Sequence, residues 1–287
     1  MEAHVSPPNS TTGRLSIPFP IRSALAALGV VAPPVHAKVA RTLYFRPQRL
    51  KARQAEREVL ARGTRFFLED EGEQVIARSW GRGPVVALMH GWSGHLGQLT
   101  PLVEPLVARG FQVVGFDWPG HGESLGQTSS LLHASRVLRA LQRVVGPFHG
   151  VVAHSFGAAA TVYAASLGLD VRRLAFFAPV ARLDRYVNEY SSAFRFTDRQ
   201  RADFVRECET WLNAPFSAFE PMTVAATLAP TPALLLHSED DREVALDDVR
   251  GLAAALEAEL RVKQRLGHRK LLRDEGCVAE AVAFVAG

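Results

Sequence analysis

The sequence predicts an α/β fold: a mostly parallel eight-stranded sheet with helices on both faces and a small helical lid after the sixth strand. Three observations carry that expectation. Short apolar runs recur at RFFLED, QVIARSW, VVALMH, QVVGFD, GVVAHS, RLAFFAP, ALLLHS and LRVKQRLG. Most of the later runs alternate with stretches of helical spacing, and parallel neighbours need such crossovers. About fifty residues, rich in aromatic side chains, then separate the sixth run from the seventh, far more than a simple connection requires.

Taken in order, residues 1–20 are rich in proline, serine and threonine and read as a disordered tail. From Ile21 to about Arg62 the spacing is helical, broken at Pro33-Pro34 and Pro47. Residues 21–63 are therefore expected to form accessory helices ahead of a main domain at 64–287. Their arginine-rich end, RTLYFRPQRLKARQAEREVLARG, stops at Gly63, as a helix C-terminus should. RFFLED and QVIARSW, separated by Glu-Gly-Glu, form a hairpin. QLTPLVEPLVARG, SLLHASRVLRALQRVVG and DDVRGLAAALEAE supply crossover helices. The interval 181–231 holds Tyr186, Tyr190, Phe194, Phe196, Trp211, Phe216 and Phe219 at mostly helical spacing, and reads as the lid. Some of these rings must be ordinary core, and only a few can line a pocket.

Bulk properties narrow the function classes. Of 287 residues, 47% are hydrophobic and 22% charged, the balance of a globular protein with a full core. The net charge of +4 is spread through several helices. No motif or aromatic–basic platform accompanies it, so nucleic acid is not an expected partner. Arg41 to Arg65 has the basic character of a membrane-docking segment, but Glu56 and Glu58 interleave and favour a solvated helix, leaving membrane contact the lesser expectation. Ser23 to Ala37 has the apolar, small-x-small form of a signal h-region. Three prolines before Phe19 and only two arginines make a poor n-region in front of it. Cys208 and Cys277 show neither metal-site nor disulfide spacing, so a reducing, cytoplasmic compartment is expected. Nothing in the pattern sets an oligomeric state.

The chemistry concentrates at one crease. GVVAHS runs as a buried strand directly into FGAAATVYAASLG, a close-packed helix, with the tripeptide His154-Ser155-Phe156 between them. A serine on so sharp a turn projects its hydroxyl off the carboxyl edge of the sheet. The residues two before and two after must then be small, here Ala153 and Gly157. The following helix aims its free N–H groups at developing negative charge. Serine needs a base and an acid, in the chain order Ser, acid, His for this kind of turn. SEDDREV follows the seventh strand and GHRKLLRD the eighth, offering Asp241 as acid and His268 as base. Asp240 and Asp184 are rivals for the acid, and Glu239 faces solvent. The loop after the third strand, HGWSGH, would add the amide of Trp92 to that of Phe156 as an oxyanion hole.

HGWSGH, FDWPGHGES, AHSFGA, HSEDDREV and GHRKLLRD together, over about 64–287, resemble the α/β-hydrolase family in order and spacing. That resemblance implies a triad of Ser155, His268 and Asp241, a small-molecule ester or thioester substrate, no metal and no organic cofactor. It also implies that His90 and His154 support the oxyanion loop and the elbow by hydrogen bonds, that Asp117 and His121 pin the turn after the fourth strand, and that His237 is structural. Ala153 stands where a first glycine is usual, Ser238 where glycine is common before the acid, and Ala245 where proline often follows Val244; the last two should leave the acid loop less rigidly specified. No H-x-H, H-E-x-x-H, G-x-G-x-x-G or P-loop lysine pattern points to a metal or nucleotide. Trp92, Phe156 and Trp118, as the nearest apolar groups, favour an uncharged acyl chain. Perhydrolysis and carbon–carbon hydrolysis use the same triad, and a non-catalytic binding protein could use the same scaffold.

Overall fold

The computed structural model describes residues 19–70 and 72–287. The tail expected at 1–20 lies outside the described residues, apart from Phe19 and Pro20, which open the first helix. Three helices come first: α1 (Phe19–Val31), α2 (Pro33–Tyr44) and α3 (Gln54–Arg62). Pro33 and Pro34 occupy the first turn of α2, where a missing N–H leaves no bond unmade. From 46 to 53 the chain is not helical, so the helical reading through to Arg62 is corrected there. Gly63 ends α3 with φ −80°, not in a left-handed cap. Its glycine is required because a Cβ would lie 2.5 Å from the Trp80 ring.

The hairpin β1 (Thr64–Asp70) and β2 (Glu73–Trp80) follows, then β3 (Val85–Met89), α4 (Val103–Ala108) and β4 (Gln112–Phe116). Next come α5 (Leu131–Val145), β5 (Phe148–His154), α6 (Phe156–Ser166) and β6 (Leu174–Phe177). Helices α7 (Asp184–Ala193), α8 (Asp198–Leu212) and α9 (Pro221–Ala225) fill the long interval before β7 (Ala233–Ser238). The chain closes with α10 (Leu246–Ala255), β8 (Glu259–Lys263), α11 (Gly267–Lys270) and α12 (Glu275–Ala286). All eight expected strands are present in one sheet of order β1-β2-β4-β3-β5-β6-β7-β8. The β1–β2 and β2–β4 pairs are antiparallel and every other neighbouring pair is parallel.

Helices cover both faces of the sheet, and successive side chains point to opposite faces, so the central strands are apolar throughout. Ala87, Met89, Val151, Ala153 and Phe176 pack on one side with α5 and α6. Val86, Leu88, Val152, Ala175 and Phe177 pack on the other, with Leu102, Leu106 and α12 residues such as Ala281 and Val285. Strand β8 is the exception: an edge carrying Glu259, Arg261 and Lys263, charges that discourage pairing with another chain. No helix among the described residues is long and apolar enough to cross a membrane.

Candidate active site

The sheet order reverses at β3: the chain passes to β4 on one side and then to β5 on the other. In open parallel sheets the crevice at the carboxyl ends beside such a reversal is where ligands bind. The loop after β3 and the turn after β5 meet there. Ser155 sits on that turn with φ 54° and ψ −122°, a conformation that costs roughly 1–3 kcal/mol for a non-glycine residue. Neighbouring strands hold it in place. Its N–H donates to the Phe177 carbonyl at 2.9 Å, and its carbonyl accepts from Ala158 at 3.0 Å and Val180 at 3.2 Å. A Cβ on Gly157 would lie 2.5 Å from the His90 carbonyl oxygen, so the helix can approach β3 only with glycine there.

The structure brings together the three residues expected as acid, base and nucleophile. His268, in α11, places Nε2 3.0 Å from Ser155 Oγ and Nδ1 2.8 Å from Asp241 Oδ2. The other oxygen, Asp241 Oδ1, accepts from the amides of Glu243 at 2.7 Å and Val244 at 3.0 Å, with Val244 buried beneath the loop. Burial opposes charge on the Asp241 carboxyl, but the bond to His268, the charge of that ring and the two amides outweigh it and hold the group below the usual carboxylate range. The rivals are engaged elsewhere: Asp184 pairs with Arg182 at 2.5 Å, while exposed Asp240 accepts from Gly267 N at 3.0 Å.

Ser238 corrects the expectation of a loosely specified acid loop. Its buried hydroxyl donates to Asp240 Oδ1 at 2.5 Å and accepts from the amides of Leu266 at 3.1 Å and Gly267 at 3.2 Å. It therefore ties the loop that carries Asp241 to the loop that carries His268. Ser238→Ala should leave the Leu266 amide without its acceptor and lower stability by about 1–3 kcal/mol. Urea unfolding checks this, and an unchanged midpoint would remove the clamp.

Histidines fix the loop after β3. Burial drives the His90 ring well below its ordinary pKa, and the neutral ring bonds the Gly91 carbonyl through Nδ1 at 2.8 Å while Nε2 accepts from Trp118 N at 3.0 Å. Burial likewise lowers His121 to about 4; its Nε2 accepts from Ser93 N at 3.0 Å, so His121 holds the loop after β3 as well as its own turn. Asp117 accepts from Leu96 N at 2.7 Å and Glu123 N at 2.9 Å, pinning that turn as expected. His154, lowered to about 3 mainly by burial, bonds the His268 carbonyl at 3.1 Å, so it supports the His268 loop instead of the elbow. Neither the Trp92 nor the Phe156 amide donates to an acceptor among the described residues. Among those residues, no group of three or more His, Cys, Asp or Glu side chains could hold a metal ion.

These buried rings make the fold acid-sensitive. Their folded pKa values lie below the ordinary 6.5, so as pH falls through that value the unfolded chain takes up protons that the folded chain refuses. The stability they contribute is complete above the ordinary value and is lost as pH falls through the folded values near 4 and 3. The urea midpoint should drop steadily between about pH 7 and pH 4.5. A flat midpoint over that range would contradict the neutral assignment.

A cavity of about 660 Å³ opens above Ser155. Trp92, Phe156, Tyr186, Tyr190, Phe194 and Phe216 contribute to its walls. Trp118, expected beside it, is instead fully buried and stacked on His90, with centroids 5.1 Å apart. Phe204 and Trp211 do not line it but back its wall, Trp211 packing on Phe45 at 4.6 Å. Sequence reasoning missed Leu43, Tyr44 and Phe45, which also line the cavity. The 46–53 segment crosses the site's rim, with Gln48 N donating to Ser93 Oγ at 3.0 Å and Arg49 Nη2 to the Gly126 carbonyl at 2.7 Å. Glu243 was missed too; it lies 3.7 Å from His268 Nε2 and 3.6 Å from Arg269 Nε at the mouth.

Comparison with known proteins identifies the family. The family model described as alpha/beta hydrolase family matches residues 85–280, more than half of the chain. The pimeloyl-[acyl-carrier protein] methyl ester esterase of Xanthomonas campestris pv. campestris is 37% identical over 105 residues, covering 37% of this chain and 40% of the relative. The chain is thus matched over about two-fifths of that relative's length. Among solved structures, an esterase from Pyrococcus furiosus superposes with a TM-score of 0.64 at 16% identity, covering 83% of this chain and 98% of that one. A CIB-like hydrolase from Thermoplasma acidophilum gives 0.58 at 16% identity, with 78% and 98% covered. At such identities these two likenesses establish the fold alone. By its family match, its strand order and the motifs at the sheet's carboxyl edge, the chain belongs to the alpha/beta hydrolase family.

Proposed function

We propose that this chain hydrolyses a carboxylic ester or thioester of an apolar acyl group through an acyl-enzyme on Ser155. The observation that carries this reading is the unbroken line from Asp241 Oδ2 through His268 to Ser155 Oγ, with contacts of 2.8 Å and 3.0 Å, on the floor of an aromatic cavity. His268 Nε2 takes the hydroxyl proton as Ser155 attacks the carbonyl, and the buried Asp241 carboxylate steadies the imidazolium. The oxyanion settles on the Trp92 and Phe156 amides. Collapse expels an alcohol or thiol that takes its proton from His268, and a water molecule repeats the sequence to release the acid. Helices α7 to α9 act as the lid over the acyl chain, with α1 and α2 packed against it as accessory helices.

The relative's name, an esterase for a methyl ester, fits this reading. Both cysteines are buried free thiols, as suits a reducing cytoplasm. A series of p-nitrophenyl esters of increasing acyl length, with one acyl thioester, tests the proposal. Turnover that rises with apolar chain length is expected. Saturable ester binding with no turnover would make the chain a binding protein on a hydrolase scaffold.

A further inference from the structure

Helix α1 is apolar around nearly its whole circumference. Arg22 is its single charge, and among the described residues Leu25 is its one fully buried side chain. A helix of that composition is ordinarily enclosed by protein or immersed in lipid. Here Phe19 is 71% exposed, Val30 80% and Val31 83%. Helix α2 adds Val35, Val39 and Leu43 at four-residue spacing, all facing outward. Ile21, Leu43 and Leu50 are exposed and also line the cavity, so this apolar face runs into the cavity mouth.

Charge decides what covers it. From Phe19 to Ala55 the chain contains no aspartate or glutamate, but it carries Arg22, Lys38, Arg41, Arg46, Arg49, Lys51 and Arg53. Arg41 lies 3.8 Å from Glu207 of α8, while Lys38, Arg46 and Lys51 are exposed with no acidic partner among the described residues. Glu56, which interleaves with the arginines in sequence, is buried and bonded to Arg53 N at 2.8 Å and Arg273 at 2.8 Å, so it does not neutralise this face. A second copy of the chain seated here would set the same cations against each other. An anionic lipid surface satisfies both the exposed apolar side chains and the cations.

We propose that α1, α2 and the segment to Lys51 form a docking surface for anionic phospholipid, set so that an apolar ester passes from the lipid into the cavity. Delivery to Ser155 rests on the hydrolase reading above; docking does not. Co-sedimentation with phosphatidylcholine vesicles, with and without phosphatidylglycerol, tests docking on the full chain. Binding should need phosphatidylglycerol and weaken with salt. Val35→Asp/Val39→Asp, at two positions that do not line the cavity, should lower partition at least about tenfold, and Lys38→Ala about fivefold. Hydrolysis of a water-soluble butyrate ester and the circular dichroism spectrum should stay unchanged in both variants. Ser155→Ala should bind vesicles like the wild type, so that lost chemistry and lost docking are read separately. No vesicle binding, binding that Val35→Asp/Val39→Asp retains in full, or a dimer in sedimentation equilibrium that the double variant dissociates would each overturn the proposal.

Discussion

Ser155→Ala should lower kcat for ester hydrolysis by about a millionfold, to the level set by binding and the oxyanion amides alone. The size follows from what the hydroxyl does. On the proposed mechanism no acyl-enzyme forms without Oγ, and His268 loses the hydroxyl 3.0 Å away that would give it a proton. The fold should survive, because Ser155 is held by its backbone bonds to Phe177, Ala158 and Val180, none of which needs the hydroxyl. Steady-state kinetics on the best p-nitrophenyl ester, with the urea midpoint as a control, checks both halves. A variant that keeps a tenth of wild-type kcat would move the nucleophile elsewhere.

Asp241→Asn should lower kcat by about ten-thousandfold, while Asp240→Asn should change it by less than about tenfold. The two residues are adjacent in sequence but differently engaged. Asp241 reaches His268 Nδ1 at 2.8 Å and is fully buried, whereas Asp240 accepts from Ser238 and the Gly267 amide at the loop's outer side. An asparagine at 241 can present its amide N–H to the ring and favour the tautomer whose Nε2 carries the proton, which cannot accept one from Ser155. Equal losses at the two positions would mean that the acid loop as a whole, and not the Asp241 contact, supports the base.

The legible parts of this molecule were those written in short stretches of sequence. The central strands were visible as apolar runs because both faces of the sheet are covered there, and Ser155 was visible because the strand, turn and helix around it are contiguous. The order of Ser155, Asp241 and His268 along the chain carried the rest of the candidate site. What was not legible depends on residues distant in sequence. Ser238 looked like a weakening departure, yet its hydroxyl bonds two amides across 28 and 29 positions. His154 turned out to bond a carbonyl 114 positions away. Gly63 ends a helix for the sake of the Trp80 ring, and Trp118 lies behind His90 because that ring needs its amide. The cavity wall supplied by Leu43, Tyr44 and Phe45 depends on how α2 packs on α8 and on α7, whose Tyr190 Oη donates to the Ala40 carbonyl at 2.9 Å. Periodicity shows that a helix exists, not where it docks.

The most direct test is to treat the protein with a fluorophosphonate and locate the adduct by peptide mass spectrometry. One adduct per chain, on Ser155, is the expected result, with labelling slowed sharply in His268→Ala. Stable modification of another side chain, or no reaction with Ser155 in the folded protein, would contradict the assignment of Ser155 as the nucleophile.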